Sequence, residues 1–196
     1  QAAEVALDQL EATPVQRVAG YVAALRSEDA VARAAAAIAL GNLGDKGAVG
    51  ALVERLMDED EATAVRASAA MALGNLKDKQ AIDPLLRVLG DEEISIRQAA
   101  ETSLVQLKAT KKRMVVGYLA ALESEDAVAR AAAAAALGNL GDKSAVGALV
   151  ERLRDEDEAT AVRVAAARAL GQLKDTRAIP ALQAHLEDQD AAIHAA

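Results

Sequence analysis

The sequence consists of two tandem copies of one block of 97 residues. Shifting the chain by one block aligns residues 1–97 with 98–194, and 66 of the 97 paired positions are identical. Whatever structure the first block forms, the second block therefore forms again. Self-similarity at a fixed spacing is typical of repeat proteins, in which each repeat packs mainly on its neighbours.

A finer period lies within each block, because one basic position recurs at intervals of 31 or 33 residues. It is occupied by Arg33, Arg66, Arg97, Arg130 and Arg163, and finally by His194. A Leu-Gly pair such as Leu73-Gly74 follows most of these positions. Since glycine leaves helical geometry at low cost, we predict that a helix ends near each pair.

Each period contains the pattern of two helices. Asp45 is suited to cap a helix, and Val49, Leu52 and Leu56 then share one helical face. The acidic run 58–61 ends this first helix and places negative charge at the start of the second, where the helix dipole favours it. The sequence thus predicts an all-α chain of about six helical hairpins.

Composition excludes several classes of function. The net charge is −8, and only two residues are aromatic, so neither the basic face nor the stacking platforms of a nucleic-acid binder are present. No apolar run approaches the roughly 20 residues of a membrane span. With no cysteine, disulfides and thiolate metal sites are excluded, and a reducing, cytoplasmic location is expected.

The two-helix pattern resembles HEAT-like repeats, particularly the short-repeat type of phycobilisome lyases. It runs Asp-(x)3-Val-x-x-Leu-(x)3-Leu, an acidic turn, and Val-Arg-x-x-Ala-Ala-x-Ala-Leu-Gly, and it is best matched at 45–76 and 142–173. The resemblance implies a right-handed α-solenoid, with first helices on its convex side and second helices on its concave side. We expect one domain, 1–196, made of units 1–97 and 98–194.

The resemblance also implies a ladder of the recurring arginines, each paired with an acidic turn residue. The corresponding acids here are Asp58 or Asp60 for Arg66, Asp91 for Arg97, and Asp155 or Asp157 for Arg163. Serine replaces the expected acid before Arg33 and Arg130, where Asp29 and Asp126 are the available substitutes.

No group of residues predicts chemistry, and we expect neither enzymatic activity nor a cofactor. His185 and His194 lie near Glu187, Asp188 and Asp190 but occupy framework positions of the repeat, so we do not predict a metal site. The runs 58–61 and 155–158 lack the glycine turn of a calcium loop, which favours solvated turns.

The outward positions of the second helices predict a partner-binding surface. Except for Arg168 they are uncharged, and Ile38 and Met71 are candidate anchors. The predicted residues are Val31, Ala34, Ala35, Ile38, Asn42, Thr63, Ala67, Met71, Asn75, Val128, Ala131, Ala132, Ala135, Asn139, Val164, Arg168 and Gln172. Alanine also fills helix positions through its propensity alone, which is the alternative explanation for this surface.

We therefore expect a non-catalytic scaffold that binds a peptide, a helix or a domain of another protein. One alternative is a bilin-lyase-like or chaperone-like accessory subunit, by analogy with the family. Another is an engineered or trimmed array without a natural ligand. Residues 1–10 and 191–196 resemble half hairpins without polar caps, so head-to-tail self-association is a further possibility.

Overall fold

The computed structural model describes residues 13–184, which form eleven α-helices and no strand. The first helices of the hairpins are α1 Pro14–Ala24, α3 Val49–Met57, α5 Ile82–Arg87, α7 Lys111–Ala121, α9 Val146–Arg154 and α11 Ile179–Ala184. The second helices are α2 Ala30–Leu43, α4 Thr63–Asn75, α6 Ile94–Gln106, α8 Ala127–Leu140 and α10 Thr160–Leu173. The prediction of an all-α solenoid fold is confirmed. The predicted terminal half hairpins, His185 and His194 lie outside the described residues.

A short 3-10 turn precedes most of the later first helices, and an aspartate caps it. Asp45 Oδ1 accepts a hydrogen bond from the backbone N–H of Gly47 at 2.8 Å, at the start of the turn Lys46–Ala48. Asp78, Asp142 and Asp175 make the same contact with the residue two positions on. The predicted capping role of Asp45 is therefore confirmed, because its carboxylate satisfies a backbone donor that has no partner within the turn.

The second helices with Leu-Gly pairs end one or two residues after the glycine, which confirms the predicted helix ends, but that glycine is not the cap residue. Helix α2 continues past Gly41 to Leu43 and ends at Gly44, whose φ of +73° is the left-handed conformation of a helix cap. Gly41 is instead buried within the helix, and a Cβ added there would lie 2.8 Å from the Cα of Ala72. The glycine therefore permits the close approach of α2 and α4.

The described chain clusters into two compact units. Unit 1 comprises 13–85 and 98–108 of the described residues, and unit 2 comprises 86–97 and 109–184. Leucines fill the centre of each, for example Leu52 and Leu73 in unit 1 and Leu149 in unit 2. The positions where helices pack closest hold buried alanines, which is how a chain almost without aromatics fills its core. A single solenoid domain divided at residue 97 stays a prediction.

Among the helices of residues 13–184, none is both long enough and apolar enough to cross a membrane.

Candidate functional site

The recurring arginine of α2 binds a buried carboxylate in the turn of the following hairpin. Arg33 Nε donates to Glu61 Oε2 at 2.9 Å, and Arg33 Nη2 donates to Glu61 Oε1 at 2.6 Å. The remaining terminal nitrogen donates to the carbonyl oxygens of Ser27 and Glu28, at 2.7 and 3.0 Å. The guanidinium thus joins two turns of unit 1 through one bidentate ion pair and two backbone contacts.

The second copy has the same arrangement in unit 2. Arg130 Nη2 donates to Glu158 Oε1 at 2.6 Å, while Arg130 Nη1 donates to the carbonyl oxygens of Ser124 and Glu125. Sequence reasoning named Asp29 and Asp126 for these arginines and missed Glu61 and Glu158. In both copies the arginine and the glutamate are 28 residues apart, but the duplication repeats the spacing to every acid of the run, so the sequence does not single out the glutamate.

The acidic runs are therefore only partly solvated turns. Glu61 and Glu158 are buried, with 2% side-chain exposure each, while Glu59 and Asp60 are exposed as expected. The hydrogen bond from Arg33 lowers the pKa of Glu61, against the effect of burial. Burial raises the pKa of Glu158, but the hydrogen bonds from Arg130 and the N–H of Ala159 outweigh it and hold that pKa below its ordinary value.

The other arginines of this series point into the protein as well. Arg66 is buried, and its Nε donates to the carbonyl oxygen of Leu56 at 3.1 Å. Arg97 donates to the carbonyl oxygens of Asp91 and Glu92, and its Nη1 lies 3.6 Å from the carboxylate of Asp126. The pairings predicted for Arg66 and Arg163 stay predictions.

These contacts leave the outer faces of three second helices without charge. Arg33, Arg66 and Arg130 are the only charged residues of α2, α4 and α8 respectively, and each is held by the turn contacts just described. The first helices differ, because α3, α7 and α9 each carry two or three charged residues. The arginines therefore secure the turns without charging the second-helix surface.

All the predicted lining residues lie on second helices, and none of them is buried. In unit 1 they form a surface that we call the unit 1 strip: Val31, Ala34, Ala35, Ile38, Asn42, Thr63, Ala67, Met71 and Asn75. In unit 2 they form the unit 2 strip: Val128, Ala131, Ala132, Ala135, Asn139, Val164, Arg168 and Gln172. Large apolar side chains are exposed in both, with Ile38 at 52%, Met71 at 55% and Val128 at 56%.

A shallow depression of about 190 Å³ interrupts the unit 2 strip between α8 and α10. Its lining residues are Ala135, Asn139, Ala161, Val164, Ala165, Arg168, Ala169 and Gln172. The walls are thus mainly methyl groups, and the polar groups are two amides and one guanidinium. Such a mixture of apolar walls and a few polar groups is typical of binding sites.

Within residues 13–184 no three side chains of His, Cys, Asp or Glu come together as metal ligands. His185 and His194, for which no metal site was predicted, lie outside this range.

Comparison with known families identifies the class of this helical repeat protein. The family model of HEAT repeats matches residues 18–105 and 116–196. The chain therefore belongs to the HEAT-repeat family. No curated protein sequence matches it.

Two solved structures are similar to the chain. The complex of CpcE and CpcF of phycocyanin lyase from Nostoc sp. PCC7120 has 27% sequence identity and a TM-score of 0.50, and the match covers 89% of this chain and 69% of that one. Human deoxyhypusine hydroxylase in complex with glycerol has 21% identity and a TM-score of 0.45, over 91% of this chain and 81% of that one.

Proposed function

We propose that this protein is a non-catalytic scaffold whose strips bind an amphipathic helix of a partner protein. The observation that carries the proposal is the absence of charge from the outer faces of α2, α4 and α8. Glu61 binds the guanidinium of Arg33, and Glu158 binds that of Arg130, so both cations are held against the turns. Ile38 and Met71 remain exposed to solvent. Exposed apolar side chains on an otherwise uncharged surface are typical of protein-binding sites.

The energetics of burial support such a contact. Ile38 and Met71 are about half exposed, so covering the rest of each side chain contributes about 0.8–1.5 kcal/mol. The neighbouring Ala34, Ala35 and Ala67 add little bulk, so a partner helix can approach the backbone of α2 and α4 closely. A few central anchors surrounded by small contacts are the usual arrangement of a protein interface.

A helix suits these strips better than an extended peptide. The strips are formed by helices, whose interior backbone groups are already paired within the helix. An extended segment lying over alanine methyl groups would leave its own N–H and C=O groups without partners, which costs free energy. A helix satisfies its own backbone and presents its apolar side chains along one face.

Charge substitution at the two anchors tests the proposal. We expect Ile38→Glu/Met71→Glu to weaken binding of helices selected from a randomised amphipathic-helix library by at least about a hundredfold, because two carboxylates would be buried in an apolar contact. Binding is measured by titration calorimetry, and circular dichroism should show unchanged helicity.

The matched control places the same charges on first helices. Val15 of α1 and Val116 of α7 are also exposed apolar residues, at 73% and 60%. We expect Val15→Glu/Val116→Glu to bind the selected helices like the original chain. Undiminished binding by the Ile38/Met71 variant, or an equal loss in the control, would contradict the proposal.

The second candidate function is a lyase-like accessory subunit, favoured by the similarity to the phycocyanin lyase complex. That structure is a complex of two proteins, so it is compatible with a role in which partner binding serves a client. Purification from a pigment-producing host distinguishes the two. A coloured tetrapyrrole that copurifies with the chain favours the accessory role, and a colourless preparation from such a host favours the simple scaffold.

A further inference from the structure

The two strips differ at four aligned positions, and at two of these the chemistry of the side chain changes. The residues of unit 2 that correspond to Ile38 and Met71 of unit 1, 97 positions later, are Ala135 and Arg168. An apolar pair has thus been exchanged for a methyl group and a cation. The other two differences are conservative, because Val164 replaces the apolar Ala67 and Gln172 replaces the amide of Asn75.

The exchange coincides with the depression in the unit 2 strip. Ala135 and Arg168 both line it, together with the amides of Asn139 and Gln172. An isoleucine in place of Ala135, as in unit 1, would occupy part of its volume of about 190 Å³. Gly138 lies beneath the site and leaves room for the side-chain oxygen of Gln172. The depression and the polar side chains of Arg168, Asn139 and Gln172 therefore coincide.

Arg168 also differs from the recurring arginines of the second helices. Arg33 and Arg130 are held by carboxylates, whereas Arg168 is exposed and forms no ion pair with any residue of the range 13–184. A guanidinium presents parallel N–H donors that match the two oxygens of a carboxylate. The guanidinium of Arg168 is the one charged group of the unit 2 strip, so an anionic ligand would bind there.

We propose that the unit 2 strip binds a side-chain carboxylate of the docked helix, an Asp or Glu, at Arg168. The amides of Asn139 and Gln172 donate further hydrogen bonds, and the methyl groups of Ala135 and Val164 cover the aliphatic part of that side chain. At the corresponding point of unit 1, Ile38 and Met71 bind an apolar side chain. This inference rests on the proposed function and specifies the chemistry of its partner.

The charge of the site favours a carboxylate over a phosphate group. One guanidinium balances one carboxylate, whereas a phosphate monoester carries about −1.5 to −2 charges at neutral pH. The depression offers no second cation, and the chain as a whole has a net charge of −8, which opposes the approach of more highly charged ligands.

A double-mutant cycle with a defined probe tests the inference. Helices selected on the original chain from a randomised amphipathic-helix library are expected to carry Asp or Glu at one fixed position. We expect Arg168→Met, which installs the residue of unit 1, to weaken binding of such a helix by roughly ten- to a hundredfold. Replacing the acid of the helix by its amide should weaken binding similarly, and the two losses should not add.

The outcomes separate this inference from the proposed function. If no helix binds the original chain, the proposed function is wrong. If helices bind but show no preference for an acid, or if the two losses add, only the carboxylate site is wrong. A phosphoserine at the acidic position that binds more tightly than Glu, and in an Arg168-dependent way, overturns the choice of carboxylate. The unit 1 graft Ile38→Ala/Met71→Arg should create a second acid preference.

Discussion

Buried glutamates are the residues on which the turns of both units depend. Both carboxylate oxygens of Glu61 accept a hydrogen bond from Arg33. Oε1 also accepts one from the N–H of Ala62, and Nη1 of Arg55 lies 3.3 Å from Oε2. Glu158 stands in the same position relative to Arg130 and Arg152. A carboxylate that is taken out of water and bound on several sides stabilises the fold only while it is ionised.

Neutralising one of these carboxylates should destabilise the protein. We expect Glu61→Gln to lower the free energy of unfolding at pH 7 by about 1.5–3 kcal/mol, because a charge-assisted bidentate pair becomes a single weaker contact. Urea unfolding followed by circular dichroism measures the change. The control is Glu59→Gln, an exposed acid of the same turn, which should change stability by less than about 0.5 kcal/mol.

The same pairs predict how stability depends on pH. The folded-state pKa values of Glu61 and Glu158 lie below the ordinary value of 4.5, so the unfolded chain binds protons more readily in acid. Their contribution is present above that ordinary pKa and is lost as the pH falls through the folded-state values. The double variant Glu61→Gln/Glu158→Gln should therefore lose less stability between pH 5 and 3 than the original chain. An equally steep loss would show that other carboxylates, such as Asp175, control acid unfolding.

At the scale of elements, each unit depends on close packing between second helices. Gly41 of α2 faces the backbone of Ala72 in α4, and Gly138 of α8 faces Ala169 of α10 in the same way. With so little bulk at the contact, burial is distributed over many methyl groups rather than a few large rings. The spacing of these helices is therefore sensitive to a single added carbon.

A matched pair of glycine substitutions tests this packing. Gly41→Ala gains helix propensity of about 1 kcal/mol but places a Cβ 2.8 Å from the Cα of Ala72, so we expect net destabilisation of about 1–2 kcal/mol. Gly50 of α3 has nothing within 4 Å of an added Cβ, and Gly50→Ala should raise stability by about 0.5–1 kcal/mol. Thermal unfolding of both variants gives the comparison, and stabilisation by Gly41→Ala would refute the close approach.

The elements themselves could be predicted from sequence, but the contacts between them could not. Apolar periodicity and capping aspartates such as Asp45 identify the helices because these signals are local. The helix end near Gly41 was predicted, but its contact with Ala72 was not, because nothing local shows a contact with a residue 31 positions away. The strips follow from helical periodicity alone. Glu61 was missed because four adjacent acids look alike until the structure shows which one is buried.

At the scale of the whole molecule, the acidic residues and the two strips lie on different parts of the chain. The acidic residues lie mainly in the turns, such as 58–61 and 155–158, while α2, α4 and α8 have no acidic residue. The acidic turns stand at the N-terminal ends of second helices, where the helix dipole favours negative charge. The strips therefore contain no acidic residue, although the chain as a whole is acidic.

The two compact units do not coincide with the two sequence copies. Residues 86–97 belong to the first copy but cluster with unit 2, and residues 98–108 belong to the second copy but cluster with unit 1. The boundaries of the copies are defined by sequence identity, whereas the boundaries of the compact units depend on which helices contact one another. Functional comparison of the strips therefore needs residue-by-residue correspondence, as between Met71 and Arg168, rather than separation of the chain at residue 97.

Site-specific cross-linking tests the central claim, that partners bind the second-helix surface, most directly. A photo-reactive diazirine amino acid is placed at position 71 on α4 or, in a second protein, at position 15 on α1, both exposed sites of unit 1. After irradiation with the selected helix, mass spectrometry compares the yields. The account predicts strong cross-linking from position 71 and almost none from position 15. Equal yields, or a higher yield from position 15, would contradict it.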